Sequence, residues 1–429
     1  MNRNIVIVVA AVLLLSSCGV VRGNEEEQAT GGPLAAGVTR EPCPKAVDQA
    51  KGCIYLGTIS DLTAGPFAAQ AVPITKAQSV FWARVNKAGG VGGKYEVDVD
   101  TYVRDNKYNP ETHRQVYNEI KDKVLGIVQT LGSPTTAAIL DDLKANSIVA
   151  APASWTSAWE FEDVILESGA PYCIEAMNAV DYAVETYQPD SVMAVYYPGD
   201  YGADAAAGAK IAAEKNGVKF TAVETPSGAT AQGGAITAIT KEKPDVVIVT
   251  TGPADLAAIV GQSAAAGFEG RFIGTGPTWN VALVQSPAGP ALKALYEQSA
   301  PGMPWAADTP GHQAMREALG SVTPNDGYTS GWAWAYPMKA ALEKMVAGGD
   351  ISRAGLLAAV KSLTTVDYEG MLPPEAGNYS GDPNSAVFRQ TLINKVDEAA
   401  PTGVTTTKGF YTGPTAQAYT LDGPCFTKL

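Results

Sequence analysis

The residues best placed to hold a small anion without a formal positive charge are Ser133-Pro134-Thr135-Thr136. A serine followed by proline is a helix start, with a capping hydroxyl and a first-turn proline. The unpaired N–H groups of such a turn, with the hydroxyls of Ser133, Thr135 and Thr136, form a neutral cradle for a carboxylate. Catalytic chemistry has less to work with. The two histidines, His113 and His312, lie on polar segments away from that cradle. Gly261-Gln262-Ser263-Ala264-Ala265 lacks the last glycine of a nucleophile elbow. Gly89 to Lys94 lacks the spacing of a phosphate loop, and Tyr95 stands where its Ser/Thr would be. No two cysteines sit two to four residues apart, as zinc ligands do. The expectation is a binding site rather than an enzyme, with no cofactor and no metal.

Alternating β-rich and alanine-rich runs must position these residues. Strands are expected at 54–59, 95–103, 125–128 and 147–150, with helices at 74–88, 110–123 and 135–146 between them. The pattern then restarts, with strands at 191–197, 219–224, 245–250 and 271–274 and helices at 203–216, 235–241 and 254–266. Two such series predict an α/β protein of two doubly wound parallel-sheet lobes. Ligands bind at the carboxyl ends of strands in such sheets. Trp155, directly after Ser154, and Trp279, after the 271–274 strand, are therefore expected to line a cleft, and they suit a ligand bulkier or more apolar than alanine. Trp159, Phe161, Trp332 and Trp334 read as core or rim. The tail from about residue 366, rich in Pro, Gly and Thr, has no clear element.

Composition narrows the setting. The 429 residues are 46% hydrophobic and 17% charged, with a net charge of −13, so no basic surface exists to neutralise nucleic-acid phosphates. Ile5 to Leu15 is an apolar run of signal-peptide rather than transmembrane length, preceded by Asn2-Arg3-Asn4. It leads into Leu15-Ser16-Ser17-Cys18, which resembles the bacterial lipobox. That resemblance implies removal of residues 1–17 and a lipidated Cys18 that tethers the chain outside the cytoplasm. Residues 18–41, with Glu25-Glu26-Glu27 and Gly31-Gly32-Pro33, read as a disordered spacer. The remaining four cysteines suit two disulfides in an exported chain, with three possible connectivities. Cys43–Cys53, closing a small loop, and Cys173–Cys425, tying back the tail, are favoured over free buried thiols.

Several loops carry a wider resemblance. Asp61-Leu62-Thr63-Ala64-Gly65-Pro66-Phe67-Ala68 follows the first strand, and Asn86 to Lys94 runs through a glycine turn. Leu131 to Thr136, Ala150-Ala151-Pro152-Ala153-Ser154, Asp200-Tyr201-Gly202, Gly252-Pro253-Ala254-Asp255 and Gly331-Trp332 follow in order. As a set they resemble the type I periplasmic binding proteins of the branched-chain amino acid (Leu/Ile/Val) ABC-transporter family, over about residues 54–345. The resemblance implies one lobe from 54–172 and 301–365 and a second from 173–300 and 366–429. It implies that Ala153 and Ser154 approach the ligand's carboxylate, that Tyr201 packs against the ligand, and that Asp255 stands where the amino-acid binders carry an acid for the ammonium. An ABC transporter permease in the membrane is the implied partner, and a monomer is expected. The alternative is a lipoprotein sensor that uses the same cleft to inform a receptor or regulator.

Overall fold

The computed structural model describes residues Leu34–Leu429 as one compact unit. Cys18, the expected leader 1–17 and residues 18–33 of the expected spacer lie outside the described residues. No helix among the described residues is long and apolar enough to cross a membrane.

The first sheet contains β1 (Val38–Thr39), β2 (Gly52–Ser60), β3 (Tyr95–Asp98), β4 (Val103–Asp105), β5 (Gly126–Leu131) and β6 (Ala150–Ala153). Its axis is β2, nine residues buried throughout except for Tyr55. Burial on both faces is what a parallel sheet covered by helices requires. One edge of β2 runs parallel to β3 and then β4; beyond its other edge lie β5 and β6, also parallel.

The second sheet contains β7 (Ser191–Tyr196), β8 (Lys219–Glu224), β9 (Val246–Thr250), β10 (Arg271–Gly274), β11 (Tyr296–Ala300), β12 (Thr391–Val396) and β13 (Val404–Tyr411), in the order β13-β12-β11-β10-β9-β7-β8. The five strands from β7 to β11 are parallel, and β12 and β13 add an antiparallel edge. The tail therefore completes the second sheet. The chain crosses between the sheets three times, after β6, after β11 and before β12.

Helices fix the cleft between the sheets. Ala68–Lys87 packs against Asp326–Ala333 backbone to backbone. A Cβ on Gly331 would stand 2.3 Å from the Ile74 carbonyl oxygen, and one on Gly327 2.6 Å from that of Gln70. Beneath them Phe81 meets Trp332 and Tyr336 edge-on, at 5.1 and 4.9 Å between ring centres. Such pairs add about 0.5–1.5 kcal/mol each beyond the area they bury. In the second lobe, Gly208 lets the helix Asp200–Lys215 approach Tyr172–Tyr187 closely, since a Cβ there would meet the Cys173 carbonyl at 2.1 Å. Cys173 is joined to Cys425 at this contact, and Cys43 is joined to Cys53.

Several elements differ from the sequence expectation. The spacer ends earlier than residue 41, because Val38 is buried and Val38–Thr39 pairs antiparallel with β2. The strand at 95–103 breaks in two where the Asp98 carboxylate accepts the Thr101 N–H, an aspartate turn. The helix at 135–146 becomes Ser133–Ala137 and Leu140–Ala145, with Ile139 leaving helical geometry between them. Ser147 has a left-handed backbone, so the next strand forms at 150–153 rather than 147–150. The start of the tail, expected with the second lobe, lies against the first. There the Glu369 carboxylate receives both arms of the Arg84 guanidinium at 2.9 and 3.1 Å, and Tyr368 packs on Tyr336.

Candidate functional site

A cavity of about 140 Å³ lies between the two sheets, at the carboxyl ends of their parallel strands. The lobes meet across it: Gln70 Nε2 in the first donates to the carbonyls of Pro277 and Trp279 in the second, at 3.1 and 3.2 Å. The structure is thus an arrangement in which the lobes touch beside the cavity.

One part of the wall is a continuous aromatic belt. Tyr108 meets Phe67 at 5.0 Å between ring centres, Phe67 meets Tyr201 at 6.0 Å, and Tyr201 meets Tyr172 at 4.7 Å. Tyr172 continues to Trp155 at 5.8 Å, and Trp155 to Trp334 at 4.9 Å. All six line the cavity. Their polar tips are committed elsewhere where the bonds are resolved. Trp155 Nε1 donates to the Ser168 carbonyl at 2.7 Å, and the Tyr201 hydroxyl donates to the Thr251 carbonyl at 3.1 Å. Burial pushes the phenols of Tyr108, Tyr172 and Tyr201 far above their ordinary range, so the belt is neutral. Trp279 closes another side, stacked on Tyr296 at 5.6 Å with its indole N–H on the Thr402 carbonyl.

Serine, threonine, asparagine and glutamine side chains supply the other polar groups of the lining, together with one carboxyl, Asp326. Ser133 Oγ, Gln70 Oε1 and Thr329 Oγ1 are buried without a partner, and all three residues line the cavity. Gly132 makes the Ser133 turn possible, with φ +98° and no room for a Cβ against Thr135 Oγ1 and the Tyr108 ring. Ser154 Oγ accepts the Trp159 indole N–H at 3.2 Å. Asp326 accepts the Trp305 N–H at 2.8 Å, and burial raises its pKa to about 6. No Lys, Arg or His is among the described lining residues.

Of the residues singled out from sequence, Ser133, Ala153, Ser154, Trp155, Tyr201 and Trp279 lie together in this lining. Thr135, Thr136 and Asp255 do not. Thr135 turns its hydroxyl back on the Gly132 carbonyl at 2.9 Å, and Thr136 Oγ1 lies 2.9 Å from Thr130 Oγ1. Asp255 is buried within the second lobe, where one carboxylate oxygen accepts from the Tyr197 hydroxyl at 2.5 Å, the Gly228 N–H at 2.9 Å and Gln232 Nε2 at 3.2 Å. Trp332 is core, whereas Trp334 is lining.

Sequence reasoning missed Phe67, Tyr108 and Tyr172 as wall residues. Phe67 ends the loop after the first strand, a signal that was available. Tyr108 depends on distant support: Asn106 accepts its N–H at 2.8 Å, donates to the Leu131 carbonyl at 2.9 Å and contacts His113 Nδ1 at 3.0 Å. His113 is buried, with its pKa lowered by that burial to about 3, so it serves as a neutral strut one layer behind the wall.

Comparison with known proteins follows this geometry. A family model described as periplasmic binding protein matches residues 54–399. Among solved structures, a fatty acid ABC transporter substrate-binding protein from Thermomonospora curvata is 28% identical with a TM-score of 0.82, over 91% of this chain and 97% of that one. A branched chain amino acid ABC transporter protein from Thermus thermophilus with bound valine is 16% identical, TM-score 0.75, over 86% and 98%. A leucine binding protein from Thermotoga maritima is 16% identical, TM-score 0.71, over 84% and 99%. No curated protein matches the chain. Two α/β lobes meeting around a cavity at the carboxyl ends of their strands, together with a family match over most of the length, lead to one conclusion: the chain belongs to the periplasmic binding protein family, the extracytoplasmic solute-binding proteins of ABC transporters.

Proposed function

We propose that this chain is the receptor of an ABC importer for an apolar carboxylic acid, held with its hydrocarbon part against the aromatic belt and its carboxylate near Ser133 and Ser154. The observation that carries this reading is the character of the lining: aromatic and aliphatic walls, unpartnered neutral polar groups, and no basic residue. A carboxylate bound by neutral donors in a dry site needs no guanidinium when first-turn N–H groups and hydroxyls face it.

An α-amino acid would also need acceptors for its ammonium. Asp255 already receives three hydrogen bonds outside the lining, and Asp326, the one carboxyl among the described lining residues, already accepts the Trp305 N–H. The relative at 28% identity, named for fatty acid transport, supports the acid without an amine. Solute bound between the lobes would favour the closed arrangement that Gln70 latches, and a membrane permease would read that state. Lipidation at Cys18 would keep the receptor beside its permease.

The test is calorimetry with a chain-length series of monocarboxylic acids, small aromatic acids, and leucine, valine and phenylalanine. An acid without an amine should bind more tightly than any of the amino acids. Leucine or valine binding most tightly would reject the proposal.

A further inference from the structure

Gly276, on the wall of the solute cavity, is held on both sides by residues of the second lobe. Its N–H donates to Glu175 Oε1 at 2.9 Å, and its carbonyl accepts Gln298 Nε2 at 3.0 Å. Gln298 Oε1 in turn accepts Asn394 Nδ2 at 3.0 Å, and Asn394 Oδ1 accepts the Thr406 hydroxyl at 2.8 Å. The side chains of Glu175, Gln298 and Asn394 come from elements beside the three crossings. The helix Tyr172–Tyr187 follows the first, β11 leads into the second, and β12 follows the third. Packing adds to the bonds, since a Cβ on Gly276 would stand 3.0 Å from Cδ of Pro301, the residue after β11.

The segment after Gly276 carries the contact between the lobes. The carbonyls of Pro277 and Trp279 accept Gln70 Nε2 from the first lobe. Upstream, the Thr275 N–H is fixed on the Val249 carbonyl at 3.1 Å, and downstream the proline ring sets the φ of Pro277. Gly276 is therefore the loosest link before those acceptors, because glycine has the widest backbone freedom of any residue. Glu175 acts on it from behind the wall. It is fully buried, it is not a lining residue, and its second oxygen has no partner. Burial raises its carboxyl well above the usual carboxylate range, so it holds Gly276 as a neutral acid.

We propose that Glu175 and Gln298 are positioning residues for lobe closure: by clamping the peptides on both sides of Gly276, they aim the Pro277 and Trp279 carbonyls at Gln70. The proposal rests on a solute being held between the lobes, as in the function proposed above, and not on the chemistry of that solute. An acceptor pair held in place before the lobes meet spares the entropy of ordering it at closure. Glu175 bonds to Gly276 and does not line the cavity, so its effect on closure passes through the loop. That makes the effect conditional. With the Gln70 amide removed, nothing remains for Glu175 to aim at.

The test reads the lobes without solute. Spin labels are attached through Arg114→Cys in the first lobe and Lys241→Cys in the second, both exposed positions, and pulsed electron resonance measures the distance between them. Wild type should populate the touching arrangement. Glu175→Met should lower the ratio of touching to parted lobes by about five-fold, the worth of one neutral hydrogen bond. Gln298→Met, which frees the carbonyl side instead, should act in the same direction, and it carries the test if Glu175→Met does not fold. Glu175→Gln offers Gly276 the same kind of acceptor and should recover most of the loss. Gln70→Leu should lower the ratio by itself, and adding Glu175→Met to it should lower it no further. Octanoate added to wild type tests the solute separately: distances that it leaves unmoved count against the acid proposed above and not against the clamp. A Glu175→Met distribution matching that of wild type, or losses that add in the double variant, would overturn the clamp.

Discussion

Asp255 decides between two classes of ligand, and its replacement separates them. Three donors converge on one of its oxygens, from Tyr197, Gly228 and Gln232. Asp255→Asn can present its amide oxygen at that point and keep all three bonds, losing only the charge assistance. Bonds to a charged acceptor are worth about 1.5–3 kcal/mol and neutral ones about 0.5–1.5. Three bonds each weakened by about 1–1.5 kcal/mol therefore set a ceiling of about 4.5 kcal/mol, and lower desolvation of the neutral amide reduces it to about 1–2. Asp255→Ala strands the same donors and should cost more, about 3 kcal/mol or above. Urea unfolding measures both values, and calorimetry with the preferred acid measures Kd. The expected outcome for Asp255→Asn is a lower urea midpoint with Kd unchanged within about two-fold, since 1.4 kcal/mol would already be ten-fold. A ten-fold loss of affinity at unchanged stability would refute the reasoning, because it would make Asp255 the partner of a ligand cation.

Other outcomes follow from the same structure. Ser133→Ala should weaken binding of the acid by about ten-fold or more, the worth of one hydrogen bond to a charged group, and calorimetry of the variant checks this. Removing Cys173–Cys425, whose span is 252 residues, should cost up to about 5 kcal/mol in the chain-entropy picture, against about 3 for Cys43–Cys53 with its span of 10; urea unfolding of the paired alanine variants should preserve that order. Burial raises the carboxyls of Asp200 and Asp326 to about 6 and of Asp204 to about 7. Burial raises Glu160 to about 8 as well. These four carboxyls outweigh the two buried imidazoles that act in the opposite direction, His113 lowered to about 3 and His312 to about 4. The folded state therefore binds more protons than the unfolded chain between about pH 4 and 7, and stability falls as pH rises through that window. A urea midpoint higher at pH 7 than at pH 5 would contradict this sign.

Much of the architecture could be read from local pattern, because the parallel strands are short apolar runs bounded by turns. Lys219–Glu224 and Arg271–Gly274 lie where the sequence suggests. β12 and β13 could not be read so, since Thr391–Val396 earns its place from β11 on one side and β13 on the other. At the site, a helix start pointed to Ser133, and the family resemblance pointed to Ser154 and Tyr201. Side-chain direction was a different matter. Thr135 and Thr136 occupy a helix start but turn their hydroxyls into the protein. The belt of Tyr108, Phe67, Tyr172 and Trp334 unites residues from across the chain, which periodicity along one element cannot reveal.

The bond between Cys173 and Cys425 also bears on survival outside the cell. It makes everything from the start of the second lobe to nearly the last residue a closed covalent ring. A protease that cuts once anywhere inside that ring opens it without separating the pieces. The nicked receptor would migrate as a single species until reduced, and its lobes could remain assembled around their cargo after an injury that would divide a linear chain in two.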